Sequence, residues 1–171
     1  PCVLFACLYT TGPYPFSFNG WGDVLVIVFF GFVPVGGTYY VQALTWTPDV
    51  TIASLICGLL IDTLLVVNNY RDREADARSG KRTVIVRFGE KFGRYFFLML
   101  GVTASLLCLC FLREGHFLAA LLPQLYLIPH FLTWKRMVKI YSGKKLNSIL
   151  GETSRNMLFM GVLIAIGMLV S

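Results

Sequence analysis

The chain has 171 residues, of which 56% are hydrophobic and only 14% are charged. Soluble domains usually carry about a quarter charged residues, so this composition excludes an ordinary water-soluble globule. A membrane span takes about 20 residues, and the chain has room for about five or six of them. The net charge of +6 comes mainly from two basic segments and therefore indicates membrane orientation, not nucleic-acid binding.

Long uncharged runs predict an all-α polytopic membrane protein with one helix stub and about five full spans. The apolar run 1–9 is too short to cross a bilayer, and we expect it to be the end of a helix whose beginning is missing. Gly and Pro residues predict a loop between positions 10 and 22, and Gly31 and Pro34 are expected to loosen the first full span. Residues 1–171 are expected to form a single transmembrane helical domain, truncated at its N-terminus. The full spans are predicted at 23–42, 50–70, 95–112, 116–134 and 146–170.

Half of the charged residues lie in one segment, 71–94, and a second basic patch covers 135–145. The turn at 43–49 carries no Lys or Arg. Basic loops stay on the cytoplasmic side of a membrane, so 71–94 is predicted to be a charged cytoplasmic loop. We therefore expect a multi-pass protein of the cell (cytoplasmic) membrane whose candidate active-site loops face the cytoplasm.

The most informative stretch follows the span at 50–70. If that span continues as a helix beyond the membrane surface, Asn68, Asp72 and Asp76 recur at i, i+4 and i+8 on one face. Asn69 lies close to the same face. Carboxylate and amide oxygens arranged in this way suit Mg²⁺, which takes one or two carboxylates together with substrate phosphate oxygens and waters. Like charges four residues apart repel, so a metal or a basic partner is expected to neutralise the two aspartates.

Basic residues surround the aspartates in sequence and leave two interpretations open. They can pair with the aspartates in a solvated loop that only orients the protein, or they can hold the oxygens of a phosphorylated ligand. Orientation requires basic charge but no stripe of amides and carboxylates, which favours the second interpretation. The residues are Arg71, Arg73, Arg78, Lys81 and Arg82.

Three further residues are candidates for the lining of a substrate cavity. Asp62 is a carboxylate inside a span and lies near the helix face of Asn69, so it either faces the cavity or pairs with a neighbouring helix. Tyr39 and Tyr40 either line the cavity or, near the outer end of a span, belong to an aromatic belt. His130 is expected to be a hydrogen-bonded residue of the bundle and not a base.

Several stretches of the chain resemble the UbiA superfamily of intramembrane prenyltransferases, and one of them is similar to its second aspartate-rich motif. The Asn-Asn-x-Arg-Asp form of that motif resembles the branch that prenylates 1,4-dihydroxy-2-naphthoate in menaquinone synthesis. The resemblance covers nearly the whole chain and implies the C-terminal part of a nine-helix fold. The stretches are Asn68-Asn69-Tyr70-Arg71-Asp72 with Asp76, then Gly80-Lys81-Arg82-Thr83, and also 9–15, 29–31 and 37–42.

The resemblance implies a Mg²⁺-dependent transfer of a polyprenyl group from polyprenyl diphosphate to 1,4-dihydroxy-2-naphthoate, with decarboxylation, to give demethylmenaquinone. Asp72 and Asp76 would be the catalytic residues, and the metal would stabilise the diphosphate as a leaving group. The electron-rich ring of the acceptor would then attack an allylic carbocation. The implied Mg²⁺ ligands are Asp72, Asp76, Asn68 and Asn69, and the implied diphosphate-binding residues are Lys81, Arg82 and Arg78.

The chain departs from the family in one respect. Family members carry a first aspartate-rich motif in the loop after the second helix, and no such motif occurs here outside 68–76. We therefore expect these 171 residues alone to be inactive. The alternative acceptors are 4-hydroxybenzoate and homogentisate. The alternative from a different class is a non-catalytic membrane subunit or transporter fragment whose basic loops only set its topology.

Overall fold

A computed structural model describes Phe18 and residues 20–170, and these residues form helices without any strand. Five of the helices are long and apolar enough to cross a membrane, which confirms the predicted all-α polytopic fold. The predicted stub at 1–9 and most of the loop after it lie outside the described residues. The helices are α1 (Gly22–Ala43), α2 (Pro48–Arg78), α3 (Val84–Glu114), α4 (Phe117–Ile140) and α5 (Lys144–Val170).

The central helix α2 runs without a break for 31 residues. It starts with Pro48 in its first turn, where a missing backbone N–H costs nothing, and the Thr47 side chain accepts a hydrogen bond from the Val50 amide at 3.3 Å. Its final turns are rich in Arg and Ala, both of which favour helix. The apolar and the charged parts of α2 therefore form one continuous element.

The segment 71–94 is mostly helical, so the prediction of a loop was wrong. Only 79–83 connects α2 to α3, and Gly80 turns the chain there with φ of 78°. The Thr83 side chain then caps the start of α3. Gly89, with φ of 86° and ψ of 173°, interrupts α3 after its first turn. Dense charge indicates exposure to water, but Arg, Glu and Ala are compatible with an exposed helix.

Two helices also extend beyond their predicted spans at the ends that face the charged segments. Helix α3 starts at Val84, well before the predicted 95–112, and α4 continues to Ile140, beyond the predicted 116–134. The prediction ended each span where charged residues begin. A helix satisfies its own backbone hydrogen bonds, so it can continue from the apolar layer into water.

Helix α1 is irregular in the middle, as we predicted from its glycine and proline residues. Its central part, Ile27–Gly36, is a π-helix that contains Pro34. This part packs closely on α2: a Cβ atom added to Gly31 would lie 2.9 Å from the Gly58 Cα atom. The reciprocal approach is equally close, because a Cβ atom at Gly58 would lie 2.9 Å from the Ile27 Cα atom. The small residues therefore let the two helix backbones approach each other.

Buried side chains on α2 belong to two apolar clusters, and the second of them lies beneath the polar end of the helix. The first contains Ile56, Leu60, Ala104, Cys108, Phe111, Ala119, Ala120, Tyr126 and Met160. The second contains Val66, Val67, Tyr70, Ile85, Phe97, Leu100, Met137, Leu146 and Ile149. Because the second cluster joins α2 to α3, α4 and α5, it holds the polar end of α2 against three other helices.

The buried His130 is a hydrogen-bonded packing residue, as predicted. Its Nδ1 atom lies 2.9 Å from the Tyr126 hydroxyl oxygen, and its Nε2 atom lies 3.2 Å from the Leu98 carbonyl oxygen. The imidazole stacks on the Phe97 ring, with centroids 4.7 Å apart. Both ring nitrogens therefore have partners, and the side chain fixes α4 against α3.

The close contact of α1 with α2 predicts the effect of two matched substitutions in α1. Gly31→Ala should lower the free energy of unfolding by about 1–3 kcal/mol, because its methyl group would meet the backbone of α2. Gly37→Ala is the control, since a Cβ atom there meets nothing within 4 Å. Thermal unfolding in detergent measures both variants. Equal stability of the two would contradict the proposed close packing.

Candidate metal and diphosphate site

The polar residues singled out by the sequence lie on the last third of α2. Because α2 is continuous through Arg78, Asn68, Asp72 and Asp76 do share one face of a helix. From Asn68 to Asp76 the helix rises about 12 Å. Asn69 is buried, whereas the other three are partly accessible. The condition on which the predicted stripe depended is therefore met.

The Asp72 carboxylate is held by the guanidinium of the neighbouring Arg71. Arg71 Nε donates to Asp72 Oδ1 at 2.8 Å, and Nη2 donates to Oδ2 at 2.6 Å. Arg71 Nη2 also donates to Asn68 Oδ1 at 2.6 Å, and Nη1 donates to Asn147 Oδ1 at 2.8 Å on α5. Arg71 thus connects two predicted site residues to a helix that the sequence analysis did not associate with the site.

The Asp76 carboxylate is paired less completely. Its Oδ1 lies 3.5 Å from Lys81 Nζ, and its Oδ2 is buried without a hydrogen-bond partner. The Lys81 amide also donates to the Asp76 carbonyl oxygen at 2.9 Å, which folds the connection 79–83 back onto the end of α2. A buried carboxylate oxygen without a partner is costly, so this atom fits a site for a cation.

The three predicted diphosphate-binding residues lie in or beside the connection between α2 and α3. Lys81 contacts Asp76 as described, and the Arg78 side chain is exposed in the last turn of α2. Arg82 is also exposed, and its backbone amide donates to the Phe18 carbonyl oxygen at 2.8 Å. The structure therefore brings Lys81 to Asp76, whereas the side chains of Arg78 and Arg82 are exposed at the surface.

Within the part of the chain that the structure describes, no three His, Cys, Asp or Glu side chains come together as a metal site. Asp72 and Asp76 are two carboxylates on adjacent turns of α2, and the amides of Asn68 and Asn69 lie on the turn before Asp72. Mg²⁺ needs only one or two carboxylates when phosphate oxygens and waters complete its shell. The residues present therefore fit Mg²⁺ that arrives with a phosphorylated ligand.

A shell of arginine and tyrosine side chains supports this end of α2. Arg73 donates to the Tyr70 carbonyl oxygen at 2.7 Å and lies over the rings of Tyr70 and Tyr141, at 4.5 and 5.0 Å from their centroids. Arg94 Nε donates to the Tyr70 hydroxyl at 2.9 Å. Glu90 lies between them, 3.7 Å from Arg73 and 3.4 Å from Arg94. The shell joins α2, α3 and the end of α4.

Tyr141 was missed in the sequence analysis. It follows α4 directly and has a positive φ of 66°, which is rare for a residue other than glycine. Its hydrogen bond to the Glu90 carboxylate raises the pKa of the phenol. The turn after α4 therefore contacts the site through a residue that no local sequence pattern would have identified.

The candidate cavity residues lie apart from the aspartates. Asp62 is fully buried and faces Asp23 of α1, another buried carboxylate that the sequence analysis did not consider. Tyr39 and Tyr40 are exposed near the end of α1. Since α1 runs antiparallel to α2, these tyrosines lie at the opposite end of the bundle from Asp72. The structure does not bring them together with the aspartates, and their cavity role stays a prediction.

Comparison with known proteins identifies the family of this chain. A model of the UbiA prenyltransferase family matches residues 1–169, so the chain belongs to the UbiA prenyltransferase family. With five apolar helices, it is an integral membrane protein of that family. No solved structure matches the chain.

Three curated relatives show the range of similarity. A 1,4-dihydroxy-2-naphthoate octaprenyltransferase of Haemophilus influenzae is 34% identical over 98% of this chain and 55% of the relative. The protein of the same name in Escherichia coli is 40% identical over 63% of this chain and 34% of the relative. The UbiA prenyltransferase domain-containing protein 1 of Dictyostelium discoideum is 28% identical over 95% of this chain and 48% of the relative. The chain spans about half the length of the curated relatives that it matches over nearly its whole length.

The arginine–tyrosine shell predicts that one hydroxyl group stabilises the site. Tyr70→Phe removes the acceptor for Arg94 but keeps the ring beneath Arg73, and should lower the free energy of unfolding by about 1.5–3 kcal/mol. Tyr95→Phe is the control because that side chain is 62% exposed. Thermal unfolding in detergent compares them. If Tyr70→Phe were no less stable than the control, the shell would not have the role assigned to it.

Proposed function

We propose that the protein transfers a polyprenyl group from polyprenyl diphosphate to 1,4-dihydroxy-2-naphthoate, with Mg²⁺ as cofactor and with decarboxylation, giving demethylmenaquinone. The observation that carries this proposal is the pair of aspartates on one face of α2, one of which has a buried oxygen without a partner. Membership of the UbiA prenyltransferase family supports the reaction type. The naphthoate acceptor is supported by the names of the relatives.

In this proposal Asp72 and Asp76 hold the metal, with Asn68 or Asn69 as an additional oxygen donor. When bound there, Mg²⁺ would stabilise the negative charge that develops on the diphosphate as it leaves. The continuous helix α2 fixes the spacing of the carboxylates, and its second apolar cluster fixes the helix against its neighbours. Preorganised groups of this kind need no rearrangement when charge develops, which is how they lower a barrier.

The basic side chains have a separate role in this proposal. Lys81, which already contacts Asp76, and the exposed Arg82 and Arg78 would take up the remaining phosphate charge. The concentration of basic residues on this side supports a site that faces the cytoplasm from the cell membrane. The diphosphate would then be bound at the membrane surface while its tail stays in the apolar layer.

An apolar groove on the bundle offers surface for the prenyl tail. It has a volume of about 590 Å³ and lies between α2 and α5, with Phe111 and Val35 contributed by the neighbouring helices. Its lining includes Leu60 of α2 and Met157 of α5. The groove is deeper in the apolar layer than Asp72, so a tail that extends from the diphosphate would pass in its direction.

Mutation of the aspartates tests the metal assignment. Asp72→Asn and Asp76→Asn, in the protein expressed from its complete reading frame, should each reduce Mg²⁺-dependent prenyl transfer by about a hundredfold or more, because each removes a charge that holds the metal and diphosphate. Prenylated product is measured in membranes, with and without a chelator.

The matched control for these variants is Asp49→Asn, since Asp49 lies in the first turn of the same helix. Its turnover should stay close to that of the unaltered protein. Near-normal turnover in Asp72→Asn or Asp76→Asn would refute the metal assignment. The absence of prenyl transfer by the unaltered protein would instead favour the alternative of a non-catalytic subunit or transporter fragment.

The acceptor is tested by offering each candidate with the same polyprenyl diphosphate. We expect product and carbon dioxide from 1,4-dihydroxy-2-naphthoate, and at most traces of product from 4-hydroxybenzoate and homogentisate. Chromatography of the prenylated lipids separates the products. Product from 4-hydroxybenzoate or homogentisate alone would refute the naphthoate acceptor while retaining the prenyltransferase.

A further inference from the structure

The two aspartates of the candidate site differ in what neutralises them. Asp76 has a buried oxygen without a partner and one distant cation, Lys81 at 3.5 Å. Both oxygens of Asp72, in contrast, accept short hydrogen bonds from one guanidinium, that of Arg71. Asp76 therefore has an oxygen open to a metal ion, whereas each oxygen of Asp72 already accepts a hydrogen bond from a cation.

We propose that Arg71 is an exchangeable counter-cation of Asp72, which holds the carboxylate when no ligand is bound and transfers to the diphosphate when a metal–diphosphate complex arrives. This inference rests on the proposed function and specifies how its site is loaded. It gives Arg71 a role in binding. It gives Asn147, which the sequence analysis did not consider, the role of a positioning residue.

The site with a metal ion alone and the site with a metal ion and diphosphate differ in their electrostatics. A divalent cation and a guanidinium that share the same two carboxylate oxygens repel each other, so Arg71 weakens the binding of a metal ion alone. A diphosphate reverses this balance, since its oxygens attract both the metal ion and the guanidinium. The site should therefore bind the metal together with diphosphate much better than it binds the metal alone.

The contacts of Arg71 allow it to exchange without leaving the site. Besides Asp72, its guanidinium donates to the amide oxygens of Asn68 and Asn147. These acceptors are neutral, so they hold the guanidinium in place without cancelling its charge. When Asp72 is released to the metal, the planar fork stays fixed between α2 and α5 and can bind phosphate oxygens.

The exposure of the pair is consistent with exchange. The side chains of Arg71 and Asp72 are 23% and 40% exposed, so a ligand from the aqueous side can reach both. A buried ion pair would resist opening, because each separated charge would lose its partner in a medium of low dielectric. Here water can solvate the groups while the ligand replaces the pair.

The test measures binding of Mn²⁺, as a probe for Mg²⁺, by electron paramagnetic resonance of the full protein, with and without inorganic diphosphate. Arg71→Gln should bind Mn²⁺ alone about tenfold more tightly than the unaltered protein, and should bind Mn²⁺ with diphosphate about tenfold less tightly. Asn147→Ala should leave the affinity for Mn²⁺ alone unchanged and weaken binding of Mn²⁺ with diphosphate by several fold. Arg136→Gln is the matched control, because Arg136 forms an ion pair with Glu152 and not with either aspartate, and should change neither affinity.

The opposite signs in Arg71→Gln distinguish exchange from a structural role, since a variant that merely distorted the site would lose affinity in both titrations. Loss in both, or no change in either, would overturn the exchange. Thermal unfolding shows whether Arg71→Gln is folded. Asn147→Ala is a second test if it is not: a folded Asn147→Ala variant with unchanged affinity for Mn²⁺ and diphosphate together would also overturn the exchange. If the unaltered protein bound no Mn²⁺ with diphosphate, the proposed function would fail together with the exchange.

Discussion

The candidate site depends on the continuity of α2. If α2 ended with the membrane span, a loop would follow it. The spacing of the Asp72 and Asp76 side chains would then be undefined. The 31 residues of α2 instead pass from the apolar layer into a charged region without a break. Four-residue spacing in sequence then becomes a fixed spacing of side chains on one face, which a flexible segment could not provide. The second apolar cluster and the arginine–tyrosine shell keep this exposed part of the helix in position.

The charges around α2 fall into two groups with different consequences. Glu90 forms ion pairs with both Arg73 and Arg94, and both arginines lie over the Tyr141 ring, which joins α2, α3 and the end of α4. Arg71 and Lys81 contact the aspartates themselves. The first group therefore stabilises contacts between helices, whereas the second neutralises the aspartates.

Much of the fold could be predicted, because apolar run length and the clustering of charge determine where helices cross a membrane. The face shared by Asn68, Asp72 and Asp76 follows from periodicity once α2 is known to continue as a helix, and that continuation was only a condition of the sequence analysis. The contacts of Asn147 and Tyr141 could not be predicted, since they bring the start of α5 and the end of α4 to α2 across long stretches of chain. The proximity of Asp62 to Asp23 was missed for the same reason: spacing along one helix gives no information on the facing helix. Charge density was misleading at 71–94, where it was interpreted as a loop although most of the segment is helical.

The central claim is that the polar end of α2 binds a prenyl diphosphate through a divalent metal. The most direct measurement is calorimetric titration of the full protein with a polyprenyl thiodiphosphate that cannot ionise to a carbocation, in the presence of Mg²⁺ and in the presence of a chelator. The account predicts binding that depends on Mg²⁺ and is lost in the chelator. Equal affinity under the two conditions would contradict it, because the tail alone would then account for binding and the two aspartates would have no part in it.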